Sequence, residues 1–90
     1  MFYVYILFSL QDRQLYIGYT NELKNRYARH IKGYVKATKH RRPLKLIYFE
    51  TYLLESDAMR REKFLKGGKG RGELKVQLKD ILQKLQYKNL

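Results

Sequence analysis

The sequence has no cysteine, and its 90 residues include only 8 acidic residues against 20 Lys and Arg. Without cysteine there is no disulfide framework, and nothing argues for an oxidising compartment. No apolar run reaches the roughly 18 residues that a membrane helix needs, and the first ten residues lack the basic and small-residue regions of a secretory signal. We therefore expect a cytoplasmic protein without a membrane segment.

The scarcity of acidic residues leaves a formal net charge of +12 at pH 7. This charge exceeds what the solubility of a small domain requires, and a polyanion such as nucleic acid is the natural partner. General basicity, as in thermophile or ribosome-associated proteins, is the alternative.

Length and composition predict a single domain over residues 1–90. A chain this short leaves room for one small core. Its 44% hydrophobic residues, with nine tyrosines, supply enough apolar material to fold, unlike the composition of a disordered chain.

Three β-favouring segments predict strands. Residues 2–8 and 15–20 are short apolar runs joined by a polar stretch, which is typical of an antiparallel hairpin. Pro43 precedes a third run, at about 44–52, whose β-branched and aromatic residues suit a strand.

Three further segments predict helices, at about residues 22–32, 57–66 and 73–87. Asn21 and Ser56 are suited to N-capping the first two helices, and Gly33 to closing the first. The basic segment 34–42 predicts a loop, and a cluster of glycines at 67–72 predicts an interruption. The order ββαβαα implies an α/β fold, with a small three-stranded, mostly antiparallel sheet flanked by helices.

The first strand alternates between an apolar face and a face with tyrosines. Its even-numbered face predicts the core: Phe2, Val4, Ile6 and Phe8. On the other face, Tyr5 of the first strand and Tyr16 of the second strand can bring two hydroxyls together. Tyrosines are also common in strands for packing alone. Gly18 indicates a close approach of a ligand or backbone, a bulge, or plain packing against the first helix.

The first predicted helix carries two polar groups beside its buried stripe. Apolar residues recur at Leu23, Tyr27 and Ile31. Arg26 and His30 lie one turn apart on the flank of this stripe that faces the sheet. An arginine there can clamp a phosphate oxygen, and a histidine can hydrogen-bond or shuttle a proton. The alternative is a solvated arginine and a half-buried, hydrogen-bonded histidine.

Glu62 lies on the apolar face of the second predicted helix, near Ala58 and Leu65. An unpaired buried carboxylate is strongly destabilising, so Glu62 needs a partner. That partner is either a structural arginine or a divalent metal ion with oxygen ligands.

Two basic clusters suit contacts with a phosphate backbone. Gly18, which has no side chain, would allow a nucleic-acid backbone to approach the second strand. The cluster in the predicted loop consists of Lys36, Lys39, His40, Arg41 and Arg42. The cluster around the glycines consists of Lys66, Lys69 and Arg71. Charge runs are often only solvated surface, and the glycine segment does not match the phosphate-binding loop pattern.

Taken together, these residues resemble the GIY-YIG endonuclease superfamily. The residues that carry the resemblance are Tyr3-Val4-Tyr5, Tyr16-Ile17-Gly18, Arg26, His30 and Glu62. It covers roughly residues 2–72, and the chain is most similar to small stand-alone bacterial members related to the N-terminal nuclease domain of excinuclease.

The resemblance implies hydrolysis of DNA phosphodiester bonds with one divalent ion, Mg²⁺ or Mn²⁺, in a repair or recombination setting. It implies that Tyr16 deprotonates or orients the attacking water and that Tyr5 hydrogen-bonds the water or the phosphate. Arg26 would neutralise charge on the phosphoryl oxygens, with His30 beside it. Glu62 would bind the metal.

The chain departs from the family pattern at two positions. Tyr3 stands where the first glycine of the family name would be, which small members commonly tolerate. There is no convincing match for the polar residue, often asparagine, that many relatives place after the metal-binding glutamate, and the nearest asparagine is Asn89. This second departure implies low metal affinity or low activity.

The sequence leaves two functions open, a metal-dependent DNA endonuclease and a non-catalytic nucleic-acid-binding module on the same fold. It contains no base-reading helix or zinc finger, so target choice would depend on DNA shape or on a protein partner. It does not distinguish DNA from RNA, or a monomer from a weak dimer.

Overall fold

The computed structural model describes residues 1–88, which form three strands, four α-helices and one 3₁₀ turn. The strands are β1 (Phe2–Ser9), β2 (Leu15–Thr20) and β3 (Leu44–Tyr52). The helices are α1 (Leu23–Lys32), α2 (Glu55–Lys66), α3 (Gly68–Gln77) and α4 (Lys79–Lys84), and the 3₁₀ turn covers Lys39–Arg41. None of these helices is long and apolar enough to cross a membrane.

The sheet has the order β2-β1-β3, and both strand pairs are antiparallel. The predicted α/β fold is therefore confirmed, with β1 at the centre. In this register Tyr5 lies opposite Gly18 on one side and Phe49 on the other. An irregularity between Ile6 and Leu7 shifts the pairing with β3.

Helices cover both faces of the sheet, so β1 is buried from Val4 to Phe8. The even-numbered residues of β1 form the larger core with α2, α3 and α4, as the alternation predicts. The odd-numbered face is also buried, however, because Tyr5 and Leu7 pack with Leu44, Leu23 and neighbouring side chains in a second cluster. An antiparallel sheet can leave one face in solvent, but here α1 covers the tyrosine face, and Leu23 and Tyr27 pack against it.

The predicted N-caps are wrong by one or two residues. The N-cap of α1 is Glu22, and no side chain of the described residues caps this helix, since Thr20 Oγ1 accepts only from the backbone N–H of Glu22 itself, at 3.1 Å. The N-cap of α2 is Leu54, and Ser56 lies inside the first turn. At the other end of α1, Gly33 closes the helix as predicted, in the left-handed conformation with φ 81°.

The glycine segment is part of a helix, contrary to the prediction of an interruption followed by one helix over 73–87. α3 begins at Gly68 and ends at Gln77, and Leu78 separates it from α4. α3 starts so close to the end of α2 that a Cβ on Gly70 would clash with the Phe64 carbonyl and the Leu65 backbone. Glycine is therefore needed for the packing of two helices, which outweighs its poor helix propensity.

Candidate active site

Tyr5 lies at the centre of the sheet with its ring over Gly18. A Cβ on Gly18 would lie 2.6 Å from the Tyr5 hydroxyl oxygen and 2.7 Å from its ring carbon Cζ. Both residues are buried. The close approach that Gly18 indicated is thus made by Tyr5, and this glycine is covered rather than open to a nucleic-acid backbone.

His30 is fully buried, and both of its ring nitrogens have a partner. Nε2 lies 2.8 Å from the Tyr5 hydroxyl, and Nδ1 lies 2.7 Å from Thr38 Oγ1. Burial, reinforced by the positive charge of Arg26, lowers the pKa of His30 to about 4. His30 is the buried residue of α1. Ile31, which the periodicity placed on the buried stripe, is 45% exposed.

Arg26 and Tyr16 complete the group around Tyr5. Arg26 Nε donates to the Tyr5 hydroxyl at 3.4 Å. The Tyr16 ring lies 5.1 Å from the His30 ring and 6.3 Å from the Tyr5 ring, measured between centroids. Burial raises the pKa of Tyr5 to about 12, although the hydrogen bond from Arg26 lowers it. We call Tyr5, Tyr16, Arg26 and His30 the tyrosine cluster.

The tyrosine cluster has a buried part and a part that solvent reaches. Tyr5 and His30 are inaccessible, while Tyr16 and Arg26 are partly exposed. The hydrogen bond to Tyr5 raises the pKa of Arg26, and the Tyr16 hydroxyl lies close enough to add to this effect. Arg26 also lines a polar surface pocket with Asn25 and Arg29. A phosphate that enters this pocket would therefore meet the guanidinium of Arg26, which the buried Tyr5 holds in place.

Glu62 occupies the predicted face of α2, between the buried Ala58 and Leu65, and its side chain is 19% exposed. Its partner is Lys66, at 3.2 Å, rather than the arginine considered from the sequence. Within residues 1–88, no hydrogen bond or ion pair joins Glu62 to the tyrosine cluster. The helix α2 does pack against β2, the strand that carries Tyr16.

A divalent metal at Glu62 would have one protein carboxylate. Residues 1–88 contain no group of three or more His, Asp or Glu side chains that could hold a metal ion. Mg²⁺ is compatible with such a site, because it keeps several waters and is often bound through one or two carboxylates and a substrate phosphate. Glu62 is partly exposed and its ion pair is with a lysine that is itself half exposed, which fits that mode of binding. Asn89, the nearest downstream asparagine, lies outside the described residues.

The basic residues assigned to nucleic acid differ in how free they are. Exposed ones are Lys36, Lys39, His40, Arg42, Lys66 and Lys69. Arg41 is different, since it binds Asp12 at 2.7 Å and the Leu15 carbonyl at 3.3 Å and so ties the 3₁₀ turn to the β1–β2 hairpin. Arg71 is partly buried, and its Nε has no hydrogen-bond partner within residues 1–88. The structure therefore gives Arg41 a structural contact and pairs Lys66 with Glu62, and it leaves Lys36, Lys39 and Lys69 exposed.

Two polar residues, Thr38 and Glu50, make buried or part-buried hydrogen bonds in this structure but were not identified from the sequence. Thr38, which binds His30, lies in a segment that showed no periodicity. Glu50 on β3 accepts hydrogen bonds from Tyr48, Tyr52 and Arg61 at 2.6–3.1 Å. The signal for Glu50 was present, because residues two apart on a strand share a face and both of these tyrosines flank the carboxylate.

Comparison with known proteins agrees with this fold. A family model described as the GIY-YIG catalytic domain matches residues 1–75. Over 62 residues, the chain is 52% identical to a UPF0213 protein of Pediococcus pentosaceus, covering 68% of this chain and 64% of the relative. It thus spans just under two thirds of that protein's length.

Two other relatives are also UPF0213 proteins. One, from Pediococcus acidilactici, is 42% identical, with 82% of this chain and 78% of the relative covered. The other, from Staphylococcus haemolyticus, is 43% identical, with 82% and 90% covered. No solved structure matches the chain. On the extent of the family match and of these relatives, the chain belongs to the GIY-YIG nuclease family.

Proposed function

We propose that this protein is an endonuclease that hydrolyses DNA phosphodiester bonds with one divalent metal ion. The observation that supports it best is that the partly exposed Arg26 donates to the buried Tyr5 hydroxyl, while the ring of the partly exposed Tyr16 lies 6.3 Å from the Tyr5 ring and 5.1 Å from the His30 ring. Buried polar groups that hold exposed ones in place are the arrangement that pre-organised catalysis requires.

Each residue of the tyrosine cluster has a separate task in this proposal. Tyr16 orients the attacking water and, as the phenolate, accepts its proton. This role is demanding because a free phenol titrates near 10, so the positive charge of Arg26 would have to favour the phenolate. Arg26 neutralises the charge that builds on the phosphoryl oxygens. Tyr5, which accepts a hydrogen bond from Arg26, holds that guanidinium in position, and His30 holds Tyr5.

Glu62 would hold the metal ion. A bound Mg²⁺ supplies Lewis-acid stabilisation of the phosphate and the leaving oxygen. Since Glu62 and the tyrosine cluster are not linked by protein contacts within residues 1–88, the substrate phosphate itself would lie between them. DNA shape, such as a nick, flap or junction, or a protein partner would select the target.

A cleavage assay tests the proposal. The protein is incubated with supercoiled, nicked, branched and single-stranded DNA in Mg²⁺ or Mn²⁺. We expect cleavage that is lost in Glu62→Gln and in Arg26→Ala and retained in Glu55→Gln, a matched change of an exposed glutamate on the same helix. Cleavage that persists in the Glu62 and Arg26 double variant would point to a contaminant and contradict the assignment.

A non-catalytic DNA-binding module is the second candidate. It is favoured by the burial of Tyr5, at 1% exposure, and by the lack of a contact between Glu62 and the tyrosine cluster in the described part of the chain. It predicts binding without turnover in any metal, with log K falling by about 0.9 per log unit of salt for each phosphate contacted. The endonuclease shares this salt dependence, so turnover alone separates the two.

A further inference from the structure

An open groove of about 1000 Å³ lies beside α1 on the tyrosine face of the sheet. This volume lies at the upper end of the range for ligand sites, roughly 300–1,000 Å³. Most of the residues that line the groove are apolar or aromatic: Tyr3, Leu23, Tyr27, Ala28, Leu46 and Phe49. The groove is separate from the tyrosine cluster, whose Arg26 lines the polar pocket instead.

Two aromatic rings from neighbouring strands form part of the wall of this groove. Tyr3 of β1 and Phe49 of β3 meet edge to face, with ring centroids 6.2 Å apart and ring planes at 65°. Phe49 is 48% exposed, and Tyr3 is partly exposed. Nucleobases stack on accessible aromatic rings, since every base has a flat π face. The wall therefore suits a base rather than a phosphate.

The groove joins the polar pocket at the start of α1. Three exposed residues line both of them: Asn21, Glu22 and Asn25. Arg26 and Arg29 line only the pocket, and Lys24 lines only the groove. A nucleic-acid strand with a phosphate at Arg26 can therefore continue past the first turn of α1 into the groove.

The polar side chains at this junction suit the edge of a base. An asparagine amide can donate and accept at once, as the edge of adenine requires, and a carboxylate such as Glu22 can accept from the amino group of cytosine. The net charge of +12 favours a polyanion over an apolar peptide as the occupant. A base within a duplex is stacked and paired, so only an unpaired or extruded base can enter.

We propose that this groove is a binding site for an unpaired nucleobase of a DNA strand, which stacks on Phe49 and Tyr3 while a neighbouring phosphate of the strand lies at Arg26. The choice of DNA and the position of the phosphate rest on the proposed function. The base site itself rests on the groove and its aromatic wall. It favours DNA with an unpaired nucleotide, such as a flap or a bulge, over an uninterrupted duplex.

Binding of duplexes that differ at one nucleotide tests the site without metal or cleavage. In EDTA, the protein is titrated with a duplex that carries one bulged adenosine and with the same duplex carrying an abasic residue at the bulge. Both have the same number of phosphates, so the phosphate contacts cancel. We expect the adenosine duplex to bind about 5- to 150-fold more tightly, the usual effect of stacking one base on an aromatic ring. Equal affinities would overturn the proposal.

Substitution of Phe49 tests whether the base binds in the groove. Phe49→Ala should remove the preference for the base over the abasic residue, and Phe49→Trp should keep it, because stacking needs an aromatic ring. Phe64→Ala is the matched control, since Phe64 is 41% exposed and lies on α2, which packs on the opposite face of the sheet. A preference that survives in Phe49→Ala, or that Phe64→Ala removes equally, would overturn the site.

Photo-crosslinking identifies the contact directly in the wild-type protein and so decides the matter even if Phe49→Ala does not fold. A duplex with a bulged iodouracil is irradiated with the protein, and the adducts are mapped by mass spectrometry. We expect adducts on Tyr3 or Phe49, and adducts only outside the groove would overturn the proposal. Tighter binding of an RNA duplex with the same bulge would overturn the choice of DNA. If the protein binds the base but does not cleave, the proposed function fails and the base site stands.

Discussion

Among individual residues, Gly18 determines where the Tyr5 hydroxyl lies. Tyr5 is 1% exposed and cannot retreat, so a methyl group 2.6 Å from its oxygen must displace the ring or the strand. We expect Gly18→Ala to lower the free energy of unfolding by about 1–3 kcal/mol, the usual range for overpacking a core. It should also lower cleavage, because Tyr5 would no longer hold Arg26. Urea denaturation and the cleavage assay measure the two effects.

Gly68→Ala is the control for this prediction. A Cβ at Gly68 meets no atom within 4 Å, and the residue opens α3. Alanine there should be neutral or stabilising by roughly 0.5–1 kcal/mol. Equal stability of the Gly18 and Gly68 variants would mean that Tyr5 does not pack on Gly18 as described.

His30 makes a second prediction, on the dependence of stability on pH. The pKa of His30 is about 4 in the folded protein and 6.5 in the unfolded chain. Between these values the unfolded chain binds more protons, so the free energy of unfolding should fall as pH is lowered from 6.5 towards 4. Above pH 6.5 His30 is neutral in both states and contributes no slope.

Urea denaturation across this pH range isolates the contribution of His30. In His30→Gln the part of the slope between pH 4 and 6.5 that belongs to His30 should disappear. Glu50 and Asp12, whose pKa values are lowered in the folded state, lose stability at acid pH in both proteins and so cancel in the comparison. His40→Gln, a change at the exposed histidine, should keep the wild-type slope. A slope unchanged by His30→Gln would contradict a buried neutral imidazole.

Among the secondary-structure elements, one strand and two helices are joined by Arg61, on the side of the sheet away from the tyrosine cluster. Arg61 extends from α2 to Glu50 on β3 at 2.9 and 3.1 Å and to Glu73 on α3 at 2.7 Å. Burial alone would raise the pKa of Glu50, but the hydrogen bonds from Arg61, Tyr52 and Tyr48 lower it overall. The network therefore favours the ionised carboxylate and fixes α2, which carries Glu62.

Removing the charge of Glu50 tests this network. Glu50→Gln should lower the free energy of unfolding by about 2–3 kcal/mol, because a part-buried guanidinium loses its charged partner. Asp57→Asn, which breaks the exposed pair with Arg60, should change it by less than about 1 kcal/mol. Both values come from urea denaturation at pH 7. A Glu50 variant as stable as the Asp57 variant would show that the network does not hold α2 in place.

The elements were largely predictable from the sequence, because period-two and period-four patterns report which face a residue buries. The three strands and α1 follow these patterns closely. The glycine segment does not follow these patterns, because the low helix propensity of glycine opposes a helix there. The helix α3 is explained only by the close packing of Gly70 on α2. The partners of His30 and Arg61 were also beyond prediction, because they lie 8 to 25 residues away along the chain, in other segments. Helix periodicity singled out Glu62 and the likeness to the family implied its metal role, but its ion pair with Lys66 became visible only in the folded chain.

Over the whole molecule, the net charge of +12 is spread across both sides of the sheet. Cations lie near α1 and the 3₁₀ turn on one side and on α2 and α3 on the other. In the proposed mechanism the nucleic acid lies along the edge strand β2 and touches both sets. In this mechanism the tyrosine cluster and Glu62 act on one phosphate.

Crystals of the protein with a phosphorothioate DNA oligonucleotide, soaked in Mn²⁺, test this arrangement through the anomalous signal of the metal. We predict Mn²⁺ beside the Glu62 carboxylate, with a phosphate between the ion and the side chains of Arg26 and Tyr16. Manganese away from Glu62, or a phosphate bound at Glu62 but out of reach of Arg26 and Tyr16, would contradict it.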